Sequence, residues 1–149
     1  MTLRDQILGA WKLVSYIEEP AEGGPNQLPL GNEPLGLILY TSDGFMSAQL
    51  MKQGRMPFAS GDVFRGTPEE HVDQGSGYMA YSGPYFVDEA HSIVEHSLYV
   101  SLCPNWLNGK QMRIARIEAG ELQLRSKAPF RSGGRLVHGT VRWCRASVG

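Results

Sequence analysis

Eight short runs of alternating apolar and polar residues follow one another along the chain, and turn signals separate most of them. Period-two alternation is the mark of a strand buried on one face only. The first run starts at Trp11. The next two flank Ser42-Asp43-Gly44 within LGLILYTSDGFMSAQLMK, where Asp-Gly supplies a hairpin turn. The others are YMAYSGPYFVD (78–88), SIVEHSLYVSL (92–102), QMRIARIEAG (111–120), ELQLRSK (121–127) and LVHGTVRWCRA (136–146). Most connections are short, so neighbouring strands run antiparallel. An open sheet would leave two edges unpaired, and closing it on itself removes both. Eight strands is also the number that encloses one small ligand. The expected fold is all-β, an eight-stranded antiparallel up-and-down barrel, with a two-sheet sandwich as the rival.

Two short helices are expected beside the strands. Thr2 stands as N-cap to TLRDQIL (2–8), with Asp5 in the capping-box position and Gly9 ending the helix. Thr67-Pro68-Glu69-Glu70 opens a second helix, from Pro68 to about Gln74. It lies inside the Gly- and Pro-rich excursion 53–77, a segment long enough to be a lid over a binding site. At 149 residues the chain is expected to be one domain, 1–149. A formal net charge of -1 gives no electrostatic footprint for nucleic acid. No apolar run is long enough to span a bilayer, and Met1–Gln6 lacks a signal-peptide pattern, so a cytoplasmic location is expected. Cys103 and Cys144 have no CxxC spacing and read as buried, reduced thiols.

Gly9-Ala10-Trp11 at the head of the first strand resembles the G-x-W signature of lipocalins, and Trp143-Cys144-Arg145 resembles their closing basic residue. The stretches GAWKLVSY, PLGLILYTSDGFMSAQLM, PFASGDVFRGTPEE, YMAYSGPYFVD and SLCPNW, in that order, are similar to the lipocalin-like domain family of bacteria and fungi. The resemblance covers nearly the whole chain. It implies that Trp11 plugs the closed end of the barrel with Arg145 across its face. It also implies a setting near secondary metabolism.

Strand parity then assigns faces. In 92–102, Val94, His96, Leu98, Val100 and Leu102 share the apolar side, which sends His96 inward. It reads either as a hydrogen-bonded core histidine or as an acid/base group. Arg113 and Arg116 face opposite ways, so one is expected inside, where it would hold a carboxylate, enolate or phenolate oxygen. Tyr81 and Tyr85 share a face and, with Tyr40, offer apolar walls with polar tips. Gln49 is either an interior amide or solvent-facing. Trp106, in the loop after the His96 strand, is placed at the barrel rim. His138 is expected outside, with Val137, Val141 and Trp143 inside.

The chain has no Gly-rich phosphate cradle, no HExxH and no GxSxG, and no cofactor or metal is expected. The expected partner is an apolar small molecule held in the barrel. One reading is a cofactor-independent isomerase or cyclase of polyketide-like metabolism. His96 would then move a proton, while Arg113 and Tyr81 polarise an oxygen. The other is a non-catalytic carrier that uses the same cavity, with Tyr40, Gln49, Tyr85, Leu98 and Trp106 contacting ligand. A third is a barrel packed solid that acts through its surface. Enzyme status stays open, as does oligomeric state, with a homodimer among the alternatives.

Overall fold

A computed structural model describes residues 1–148. Its order is α1 (Leu3–Ile7), β1 (Gly9–Pro20), β2 (Leu35–Tyr40), β3 (Phe45–Met51), α2 (Pro68–Ser76), β4 (Tyr78–Asp88), β5 (Ile93–Ser97) and β6 (Val100–Ser101). A 3₁₀ turn (Pro104–Trp106), β7 (Lys110–Glu118), β8 (Glu121–Ser126), β9 (Phe130–Ser132) and β10 (Arg135–Arg145) complete it. The antiparallel ladder runs β1-β2-β3-β4-β5-β7-β8-β10, and β10 pairs back onto β1. Eight strands therefore close into a barrel, and the sandwich alternative is excluded. The short β6 adds to β4, and β9 adds to β10.

The inward residues form one continuous core. Trp11, Ile38, Ala48, Leu50, Leu122 and Trp143 are all buried within it. One end is sealed. α1 starts from a full capping box between Thr2 and Asp5, as its sequence dictates. The Glu89 carboxylate accepts from the Leu3 and Arg4 backbone N–H groups at 2.7 and 3.0 Å, and Arg4 donates to the Ser42 carbonyl. The helix is thereby tied to the β4–β5 and β2–β3 turns. Trp11 Nε1 donates to the Ile7 carbonyl at 2.9 Å, and the Arg145 guanidinium lies 3.8 Å from the indole centroid. Trp11 and Arg145 are directly opposed in the β1–β10 register, so their side chains share a face.

Three local features depart from simple alternation. The β1–β10 register slips between Leu13 and Ser15, leaving Val14 as the extra residue of a bulge. Trp11 and Leu13 point inward before it, and Tyr16 and Glu18 after it. Unbroken alternation from Trp11 would put Tyr16 and Glu18 outside, and the bulge turns both inward. The run 92–102 also breaks. Only Ile93–Ser97 continues β5, and Val100 and Leu102 are exposed rather than interior. The backbone leaves the barrel wall where Gly83 faces Ser97. A Cβ on Gly83 would stand 1.8 Å from the Ser97 carbonyl oxygen. Finally, β9 was not among the eight runs. It forms a hairpin with the start of β10 through Gly133-Gly134, both at positive φ.

α2 starts at Pro68 as expected, with a full capping box between Thr67 and Glu70, but buries none of its residues. Its loop is ordered by local contacts. Phe58 packs edge-on against His71, and Glu70 accepts from the Ala59 backbone N–H. Cys103 and Cys144 are half-buried free thiols, not fully buried ones. No helix among the described residues is long and apolar enough to cross a membrane.

Candidate functional site

The barrel holds a cavity of about 300 Å³. It is lined by Tyr16 from β1, Met79 and Tyr81 from β4, Gln111 and Arg113 from β7, and Gly139 and Val141 from β10, among others. Trp106, Lys110 and Ala128–Phe130 form its lip. The solid-barrel reading is thereby excluded. The lip explains why the chain spends residues on the β9 hairpin. Above Ser126, β10 loses β8 as its neighbour, and the segment leading to β9 crosses the mouth instead. Residues 53–77 do not line this cavity. They enclose a surface hollow of their own between Arg55–Phe58 and α2. The expected lid is therefore not at 53–77, and the cavity is bordered instead by Ala128–Phe130 and the Trp106 turn.

Arg113 is the inward arginine, and Arg116 is exposed beside Glu118 at 3.1 Å. The Arg113 Nη2 donates to Gln111 Oε1 at 2.9 Å. Among the described residues no carboxylate oxygen lies within 4 Å of its guanidinium. A half-buried cation without a counter-charge is costly unless something else meets it. Tyr81 stands next to it, packed edge-on against Trp106 with ring centroids 5.8 Å apart. Burial raises the Tyr81 phenol pKa, and nearby Arg113 opposes the rise.

Tyr16 brings a second polar group to the wall. Its hydroxyl donates to Glu18 Oε2 at 2.5 Å, and Ser132 donates to Glu18 Oε1 at 2.7 Å. Glu18 is buried, so both carboxylate oxygens are satisfied from within the protein. Burial and the Glu18 charge hold the Tyr16 phenol far above the ordinary tyrosine range. Sequence reasoning missed Tyr16 and Glu18 because the Val14 bulge inverts their facing.

His96 is fully buried but does not line the cavity, because it sits behind Tyr81. Its Nε2 is 2.7 Å from the Tyr40 hydroxyl, and Nδ1 has no partner among the described residues. Burial, reinforced by the Arg113 charge, pushes its pKa down to about 3. It is a neutral core imidazole at physiological pH. Tyr40, Tyr85 and Leu98 are likewise buried off the cavity wall. Tyr85 belongs to the sealed end, where it donates to the Thr41 carbonyl and carries Arg4 over its ring. Gln49 faces outward, exposed, and accepts from the Tyr78 hydroxyl, which is the solvent-facing alternative and removes it from the expected ligand contacts. Of the residues singled out from the sequence, Tyr81, Arg113 and Trp106 meet at the cavity.

A family model described as the lipocalin-like domain matches residues 8–146. The chain belongs to the lipocalin-like domain family. A family relative from Aspergillus oryzae (strain ATCC 42149 / RIB 40), named 4'-hydroxy-3'-methoxypropiophenone carrier protein, is 32% identical over 91 residues. The match spans 57% of this chain and 82% of that protein. A solved structure of an uncharacterized protein from Bacteroides eggerthii DSM 20697 superposes with a TM-score of 0.44 and 13% identity. That superposition covers 91% of this chain and 98% of the other.

Proposed function

We propose that the protein is a carrier for a compact aromatic molecule bearing a carbonyl or oxyanion, bound in the barrel with that oxygen on Arg113. The observation that carries this reading is the Arg113 guanidinium on the wall of an apolar cavity, with no carboxylate within 4 Å among the described residues. The volume sits at the lower end of small-molecule sites, which suits one ring system better than a long polyene. Met79, Met112, Phe130 and Val141 supply the apolar wall, and Trp106 a rim platform. The name of the Aspergillus relative, an aryl-ketone carrier, fits the same class.

Carriage is favoured over an isomerase or cyclase of polyketide-like metabolism by the protonation states of the wall. An acid/base catalyst works best with a pKa near the operating pH. Tyr16 and Tyr81 are both raised, and the neutral His96 lies behind the wall. The polar groups are thus equipped to orient a ligand rather than exchange its protons.

The test is titration of the protein with 4'-hydroxy-3'-methoxypropiophenone, followed by native mass spectrometry and tryptophan emission. One ligand per barrel is expected, with recovered compound chemically unchanged. A turnover product would move the assignment to the enzyme reading. Absence of binding by this compound and by apolar fluorescent probes would overturn carriage.

A further inference from the structure

The two polar poles of the cavity differ in hydrogen-bond sense. Arg113 only donates, because a guanidinium has no acceptor. Tyr16 would ordinarily do either. Here its one proton is committed to Glu18, two residues along the same strand. That commitment is fixed from the far side. Ser132 on β9 occupies the other Glu18 oxygen, and the carboxylate is buried between the two hydroxyls. What remains on the Tyr16 oxygen is lone-pair capacity, and no group among the described residues donates to it. Gly139, which lines the cavity with Tyr16, leaves space beside this oxygen, since a Cβ there would stand 3.2 Å from both the Tyr16 hydroxyl and the Phe130 ring.

We infer that Tyr16, locked by Glu18 and Ser132, is an obligate acceptor that selects ligands carrying a hydroxyl donor in addition to the oxygen held by Arg113. The inference rests on the carrier reading above and sharpens it to a hydroxylated aryl ketone or acid. A ligand with an ether at the hydroxyl position would set lone pair against lone pair, with no proton between them. The bulge at Val14 gains a purpose in this light. Without it, Tyr16 and Glu18 would both face solvent.

The test uses para-substituted propiophenones in two pairs of nearly equal size: hydroxyl against fluorine, and methoxy against ethyl. The first pair reads donation to Tyr16, and the second reads donation from it. For the unmodified protein, the hydroxyl compound should bind about tenfold tighter than the fluoro compound, from roughly one hydrogen bond. Methoxy should bind no better than ethyl. In Tyr16→Phe the advantage of hydroxyl over fluorine should fall below about threefold. In Glu18→Met the Tyr16 proton is released, and methoxy should gain about threefold or more over ethyl. The inference is overturned if hydroxyl and fluorine bind the unmodified protein alike, or if methoxy there outbinds ethyl. Those two outcomes need no variant to fold. If none of the four compounds binds, this inference is overturned, and the carrier reading falls with it when apolar fluorescent probes also fail to bind. If all four bind without discrimination, carriage stands and only the acceptor assignment falls.

Discussion

The Arg145 guanidinium lies over the Trp11 indole, 3.8 Å from its centroid, and donates to the Leu8 and Gln6 carbonyls. One side chain thus joins the last strand, the first strand and the C-terminal end of α1. Stacking of this kind contributes about 0.5–2 kcal/mol, while burial of the indole contributes more. Trp11→Ala should cost about 3–5 kcal/mol in urea unfolding. Trp11 is not on the cavity wall, so ligand affinity of the folded fraction should be unchanged. Loss of binding by a fully stable Trp11→Ala protein would reverse the assignment of sealed and open ends.

The barrel and its closure were legible because they rest on residue types with few alternatives. Alternation gives strands, Asp43-Gly44 gives a hairpin, and the resemblance of Gly9-Ala10-Trp11 and Arg145 to lipocalins implies the sealed end. Facing within a strand was legible only where nothing disturbed the period. Val14 is a bulge with no Gly or Pro to mark it. Ile17 is apolar on the phase opposite to Tyr16 and Val14 is apolar on the same phase, so composition points both ways. The β9 hairpin did have a signal, because Gly133-Gly134 lies between Phe130–Ser132 and Arg135–Val137. His96 was placed inside correctly. Its distance from the cavity was hidden because Tyr81, which screens it, comes from another strand.

Gly83 is where two backbones meet. Its φ is not the constraint. The missing Cβ is, since that atom would fall 1.8 Å from the Ser97 carbonyl oxygen. Backbone cannot rotate out of the way as a long side chain would. Gly83→Ala should therefore force β5 away from β4 and cost about 3 kcal/mol. Thermal unfolding measures the loss. Amide exchange should show it centred on Tyr81–Tyr85 and Ser97–Tyr99. A near-neutral substitution would mean that the strand crossing relaxes freely.

His96 makes stability depend on pH with a definite sign. Its unfolded pKa is near 6.5, and burial holds the folded value down at about 3. Between those values the unfolded chain binds a proton that the native state refuses. Stability is then fully present above about pH 6.5 and falls as pH drops through this window. The slope is about 1.4 kcal/mol per pH unit. Urea midpoints at pH 5 and pH 6.5 should differ accordingly. His96→Phe should flatten the profile over that interval, although it lowers stability at every pH by leaving the Tyr40 hydroxyl unpaired. An equal slope in both proteins would place the titration elsewhere.

Arg113→Met separates the cost of the site from its use. The substitution keeps a long unbranched stem against the wall and removes a half-buried cation that has no carboxylate within reach among the described residues. Unliganded protein should be as stable as before, or more stable by up to about 1 kcal/mol. Affinity for an aryl ketone should fall about ten- to a hundredfold, the range for losing a hydrogen bond from a charged donor. An aromatic hydrocarbon of the same size should bind Arg113→Met at least as well as the unmodified protein, since no cation need be desolvated. Calorimetric titration of both ligands against both proteins gives the comparison. Equal losses for ketone and hydrocarbon would mean that Arg113 shapes the cavity rather than reads an oxygen, and the polar anchor of the proposed carrier would have to be sought at Gln111 or Tyr81.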